Sequence, residues 1–329
     1  MVSTGVLAAG DGGDSIAAST PRLGLVPEEA QMRVRGILGI PGAARFGPAR
    51  EFQEPVRRGL VAPNHGYVLL VRGDGLAVLP SEIAVNEVPA ALGEGGDGLL
   101  VAGSAACVDL WAFSPSGEAF AAYCRERGTV QVVAGLPTEP RVTAELATAK
   151  LGAPLVNLAL NDEGSKVVAV TENGEAHLMN QDGLQMRFMW QMSSTAISFL
   201  PHRSDFLISD AERGEVWRYL VIYGAPQGKM LWRAEKESGS ITQVWVGEGA
   251  VAYFYAGKAG RAWKVNLTTG EAVELAMPGG ADMFLPLADR DQFLVSARPG
   301  EPAWLCDAAG ESMKCWLIPA ATEIKRVKK

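Results

Sequence analysis

The sequence predicts an all-β chain built from a four-stranded antiparallel unit repeated around a ring. Three observations lead there. A first column of turn residues recurs six times, a second column of glycine-closed turns follows it, and successive copies lie about 45 residues apart. Gly, Pro, Asn, Asp and Ser dominate the turns because they supply positive φ, a fixed φ or a local side-chain hydrogen bond.

The copies can be taken in order. GLVA precedes the turn Pro63–Gly66 and YVLLV follows it. LWAF, Ser114–Gly117 and AFAAYC form the second copy, and LAL, Asn161–Gly164 and KVVAV the third. ISFL, Pro201–Asp205 and DFLIS come next, then VWV, Gly247–Gly249 and AVAYFY. MFLPL, Ala288–Asp291 and QFLVS complete the six. The second turn closes at Gly75, Gly128, Gly174, Gly214, Gly260 and Gly300, and a third strand follows each time. Several copies add a third turn and a fourth strand, as in TTG before EAVELAM.

Four short strands at this period are the signature of a β-propeller blade. One blade cannot bury both faces of its sheet, so neighbours pack face to face and the ring must close. Six copies are clear, giving six or seven blades. Residues 21–39 read as strand, turn and strand, either an incomplete seventh blade or a strap closing the ring. Chain length favours seven. The expected layout is a flexible leader over 1–20, a single propeller over 21–319 and a basic tail over 320–329, which holds IKRVKK.

Composition agrees. The 329 residues include 38 Gly and 19 Pro, and apolar residues make up 48%, enough for a large core. The net charge of −7 offers no basic face to a nucleic-acid backbone. No apolar run is long enough for a membrane-spanning helix, and the N-terminus lacks the pattern of a secretory signal. A monomeric ring with a protein partner is the expectation.

With their flanking apolar strands, the SPSG and NDEG turns resemble the S-P-D-G turn of bacterial propeller repeats, the TolB-like, YVTN and WD-repeat-like families. The resemblance covers residues 57–318. Its motifs are degenerate, and no copy ends in Trp-Asp. It implies the fold and a general role in binding, and it transfers no functional residue.

Four cysteines stand out. Facing Phe113 with Glu118 across the SPSG turn places Cys107 opposite Cys124, and Cys306 and Cys315 flank another turn. Paired, they imply disulfides and a periplasmic or extracellular compartment. Unpaired, they are small buried residues of a cytoplasmic protein. No CxxC supports zinc. His65, His177 and His202 are scattered. There is no GxSxG elbow and no phosphate loop, so no catalytic or cofactor-binding residue is read.

Lactonase-type propellers hold a metal in the central channel with oxygen ligands from inner strands. Here Asp109, Asn157 and Asp282 are the candidates, although they do not share one column. Six tryptophans (Trp111, Trp217, Trp245, Trp263, Trp304 and Trp316) fall in strands and suit packing between blades. The expected function is therefore a non-enzymatic binding scaffold that presents loops at one end of the ring, with 80–97 and 137–154 as the longest connections. The alternative is a metal-assisted hydrolase or lactonase in the channel.

Overall fold

The computed structural model describes residues 21–28, 32–52, 56–81, 98–183, 185–189, 193–235, 239–279, 283–296 and 301–320. Residues 1–20, most of the 80–97 connection, Asp282, Gly300 and the tail beyond Ala320 lie outside them.

The described strands form seven antiparallel sheets, each from a contiguous stretch of chain. The first has three strands and the other six have four. They occupy residues 22–51, 56–100, 110–147, 155–189, 194–233, 243–275 and 283–318, named blades 1 to 7. The fold is a seven-bladed β-propeller. Residues 21–39 belong to a blade of their own, not to a strap on the last one.

The ring is held by alternation along each second strand. Successive side chains of a strand point to opposite faces, and here both faces meet another blade. In YVLLV, Leu69 packs towards blade 3 while Leu70 packs towards blade 1. Tyr253 and Phe254 divide in the same way between blades 7 and 5. This explains the unbroken apolar runs of the second strands: neither face sees water. Seven apolar clusters result, one for each interface. The last joins Val26 and Ile37 of blade 1 to Leu294, Leu305 and Ile318 of blade 7 and closes the ring without a covalent link.

Blade 1 is built differently. Leu23 O accepts from Ala288 N–H at 3.2 Å, and Arg22 Nη2 donates to Ser81 Oγ at 2.6 Å. Both contacts lie at the first-turn face, so the strand Arg22–Glu28 starts where the inner strands of the other blades end. It runs like a second strand. Blade 1 thus supplies the second, third and fourth strands of a blade, and among the described residues it has no inner one. Its free edge is protected. Leu25 N–H donates to His65 Nδ1 at 2.7 Å, and Pro27 has no N–H to offer. Buried Glu28 pairs with Arg33 and Arg35 of the adjacent strand, and Arg35 Nη1 also donates to Gly47 O at 2.8 Å.

Two sequence expectations change. The SPSG hairpin pairs Phe113 with Phe120, not with Glu118. Ser114 is responsible: its N–H donates to Ala119 O and its Oγ accepts from Ala119 N–H at 3.1 Å, which lengthens the loop by two residues. The 137–154 connection is mostly not a loop either. Arg141–Ala147 is the outer strand of blade 3, followed by a short 3-10 turn.

With the corrected register Cys107 lies outside the ladder, yet its sulfur is joined to that of Cys124 at 2.18 Å. The segment before the inner strand folds back, held by Asp109 N–H on Tyr123 O and by Arg125 N–H on Asp109 Oδ2. Cys306 and Cys315 face each other directly in the blade 7 ladder, and their sulfurs are joined at 2.08 Å. The first bridge spans 17 residues. The double variant Cys107→Ser/Cys124→Ser should therefore lose about 3 kcal/mol relative to the oxidised protein. Urea unfolding with and without reductant checks this, since the difference should vanish once both proteins are reduced.

Candidate functional site

The inner strands Val56–Val61, Leu110–Phe113, Leu155–Leu160, Ser194–Phe199, Gln243–Val246 and Met283–Pro286 all run towards the first turns. Where they end, at the mouth of the central channel, a cavity of about 290 Å³ is lined by residues of blades 2 to 7. Its walls are apolar: Phe113, Ile197, Trp245, Val246 and Pro286 contribute most of the large side chains. Trp245 is half-buried. Its ring sits 5.1 Å from that of Phe284, which stacks on Phe293 at 4.3 Å, so the indole is fixed from behind by the interface of blades 6 and 7. Phe113 is fixed in the same way by Phe120 at 5.0 Å.

A belt of hydrogen bonds between turns holds the rim. Asn64 Nδ2 donates to Ser116 O at 2.9 Å and Tyr67 OH donates to Gly117 O at 2.5 Å, joining blades 2 and 3. Asp162 accepts from Ser116 N–H at 2.6 Å and from His202 N–H at 2.7 Å, so one carboxylate of blade 4 ties blades 3 and 5. Asp291 of blade 7 accepts from Tyr253 OH at 2.8 Å and from Glu248 N–H at 3.3 Å, both of blade 6. Only glycine fits beside that carboxylate: a Cβ at Gly247 would lie 2.4 Å from Asp291 Oδ1.

His65 closes the belt. It is buried at φ 52°, with Nδ1 accepting from Leu25 N–H of blade 1 and Nε2 donating to Pro286 O of blade 7 at 2.9 Å. It occupies the inner position that blade 1 leaves open. These two bonds require the neutral ring with its proton on Nε2. Burial lowers its pKa from 6.5 to about 4, helped by the charge of Arg22, and outweighs the bond to Pro286 that favours the protonated form. For Asp162, burial alone would raise the carboxyl pKa. The backbone N–H groups of His202 and Ser116, with the Ser116 and Ser114 hydroxyls, outweigh it and hold the group below its ordinary range.

The polar groups lining the cavity are few, and most are already used. Asn64 holds Ser116 O and Gly66 N–H, Ser114 holds Ala119 N–H, and Ser198 Oγ donates to Phe199 O. Arg290, in the first turn of blade 7, lines the cavity and makes no ion pair among the described residues. Among the described residues no carboxylate lines the cavity. A larger, shallower depression of about 410 Å³ lies on the outer part of blade 6, where Arg261 is already paired with Glu274.

The two described metal candidates lie elsewhere. Asp109 precedes the inner strand of blade 3, at its end away from the mouth, and its carboxylate is engaged by Arg125 N–H. Asn157 lies in the inner strand of blade 4 but does not line the cavity. Asp282 is outside the described residues. Among the described residues Asp109 is grouped with Cys107 and Cys124, whose sulfurs are bonded to each other and offer no thiolate. His177 is buried in the third strand of blade 4, 3.5 Å from Glu175, and His202 is exposed beside Asp162. The six tryptophans singled out in the sequence, of eight in the chain, all pack between blades, and Trp245 alone of these six also lines the mouth. His65 and Asp162 lie within the turns Pro63–Gly66 and Asn161–Gly164, and that placement alone does not show their bridging role. The signal available was a polar residue at the second or third place of the turn column, next to the apolar end of an inner strand.

No protein-family model matches the sequence, and no curated protein does. Solved structures do. The chain is similar to the dihydro-heme d1 dehydrogenase NirN in complex with DHE, at 13% identity and a TM-score of 0.52, over 91% of this chain and 67% of that one. It is also similar to the β-propeller domain of Myceliophteria thermophila Cps50 (Swd1), at 13% identity and a TM-score of 0.53, over 80% of this chain and 86% of the other. At this identity the likeness shows the propeller fold alone. No helix among the described residues is long and apolar enough to cross a membrane.

Proposed function

We propose that this chain is a non-enzymatic binding propeller whose ligand site is the channel mouth at the first-turn face. The observation that carries the reading is the cavity itself: fixed apolar walls and a rim held by hydrogen bonds from blade to blade, with no carboxylate or histidine among the described lining residues. The SPSG and NDEG turns support grouping the chain with the TolB-like, YVTN and WD-repeat-like propellers as a divergent member. Closure of the ring by blades 1 and 7 of the same chain supports a monomer. The turns outside the mouth are free to contact a protein partner. The two joined cysteine pairs support a place in an oxidising compartment, periplasmic or extracellular. Titration of thiols in the denatured, unreduced protein should then find none, and four free thiols would remove that assignment.

The site is tested by screening a fluorinated fragment library by NMR against the full chain and against Ser198→Phe, which fills the mouth. The reading expects hits that bind the wild type and weaken by about tenfold or more in the variant, with thermal unfolding unchanged. Hits that bind both proteins equally would place binding elsewhere and contradict it.

A further inference from the structure

We infer that the ligand of the mouth is a small carboxylic acid with an apolar body. The inference rests on the mouth being the binding site and adds the chemistry of what binds. The body is specified by the walls. Phe113, Ile197, Trp245 and Pro286 present apolar surface from blades 3, 5, 6 and 7, and Trp245 and Phe113 offer ring surface backed by fixed aromatic neighbours. Such walls favour an aromatic or branched hydrocarbon group.

The head group is specified by Arg290. Asn64 and Ser114 are committed to hydrogen bonds of the rim and the Ser198 hydroxyl to the carbonyl of its neighbour Phe199, while the Arg290 guanidinium has no carboxylate partner among the described residues. A guanidinium presents a planar fork of donors that fits a carboxylate in a bidentate manner. Among the described residues Arg290 carries the one charge in the lining, and the rim carboxylates of Asp162 and Asp291 are engaged by N–H and O–H donors of neighbouring blades. A monoanion therefore pairs with the guanidinium, while a doubly charged phosphate would leave one charge unpaired against apolar walls.

Size decides between a free acid and the end of a polypeptide. About 290 Å³ lies at the lower edge of the range for small-molecule sites. The rim cannot widen without breaking the bonds of Asn64, Asp162 and His65 that span neighbouring blades. A free small acid is the occupant that fits.

The test is calorimetric titration of the full chain with phenylacetate, phenylacetamide and an acetylated tetrapeptide ending in phenylalanine with a free carboxylate. Phenylacetate should bind about tenfold to a hundredfold more tightly than the amide, the share of one charged hydrogen-bonded pair. Arg290→Gln should erase that ratio and leave thermal unfolding unchanged. The tetrapeptide should bind no more tightly than phenylacetate. Equal binding of acid and amide by the wild type, a ratio that survives in Arg290→Gln, or no binding of phenylacetate at about 10 mM overturns the inference. Tighter binding by the tetrapeptide overturns the choice of a free acid. Ser198→Phe separates the two levels. If acid and amide bind equally and both are blocked by it, the mouth remains the site and the carboxylate assignment falls. If it blocks neither, the mouth falls too.

Discussion

Replacing His65 with alanine is expected to destabilise the ring by about 3–5 kcal/mol. The variant leaves two buried backbone groups, Leu25 N–H and Pro286 C=O, without partners, at about 1–3 kcal/mol each. It also removes the side chain that fills the inner position of blade 1, and alanine at φ 52° adds strain. Equilibrium unfolding in urea measures the loss. A pH series separates this role from simple loss of packing. The folded histidine titrates at about 4 and the unfolded one at 6.5, so between these values the unfolded chain binds the extra proton. Stability is therefore lost as pH falls from about 6.5 to 4, by about 1.4 kcal/mol per pH unit and about 3 kcal/mol in all. His65→Ala should be less stable at neutral pH and should lack this share of the slope. An unchanged slope would show that His65 does not close the ring as a neutral bridge.

The second large effect is expected at Asp162. Its carboxylate satisfies Ser116 N–H and His202 N–H from the two neighbouring blades. Asp162→Ala removes two charge-assisted bonds and should cost about 2–4 kcal/mol. Asp162→Asn should recover only part of this, because an amide oxygen can accept one of the two bonds while its NH₂ opposes the other donor. The carboxyl titrates below its ordinary value when folded, so its contribution is complete above the unfolded pKa of about 3.8 and is lost as pH falls through the folded one. The Asp162 variants should therefore differ from wild type at pH 7 and converge with it in strong acid. Hydrogen exchange at Ser116 and His202 offers a local readout: both amides should lose protection while those of blade 7 keep theirs.

The ring was legible in the sequence because its punctuation is chemical. Gly117, Gly164 and Gly249 adopt positive φ in the first column, and Gly128, Gly174 and Gly214 in the second, so turn residues mark real backbone requirements. The runs YVLLV and AFAAYC also announced second strands buried on both faces. Register was less legible. The two-residue shift at Phe113 depends on the Ser114 hydroxyl closing the loop, and serine belongs in a turn of either length. The third strand of blade 1, RFGPARE, was hidden because Gly47 and Pro48 interrupt any alternation.

The site was harder to read than the fold. His65, Asp162 and Arg290 all occupy turn columns, where their residue types have an ordinary local explanation. Their roles arise from distance in sequence: His65 meets Pro286 across 221 residues, and Asp162 meets Ser116 across 46. Ring closure creates such contacts, and no local pattern encodes them. Asp109 shows the converse. It looked like a channel ligand because it precedes an inner strand, yet its carboxylate is spent on the backbone of Arg125.

The most direct test of the binding site is a crystal structure of the full chain grown with phenylacetate. The account predicts a ring against Trp245 at the channel mouth, with the carboxylate about 2.7–2.9 Å from the Arg290 guanidinium. Phenylacetate bound at another place, with the mouth empty, would contradict it.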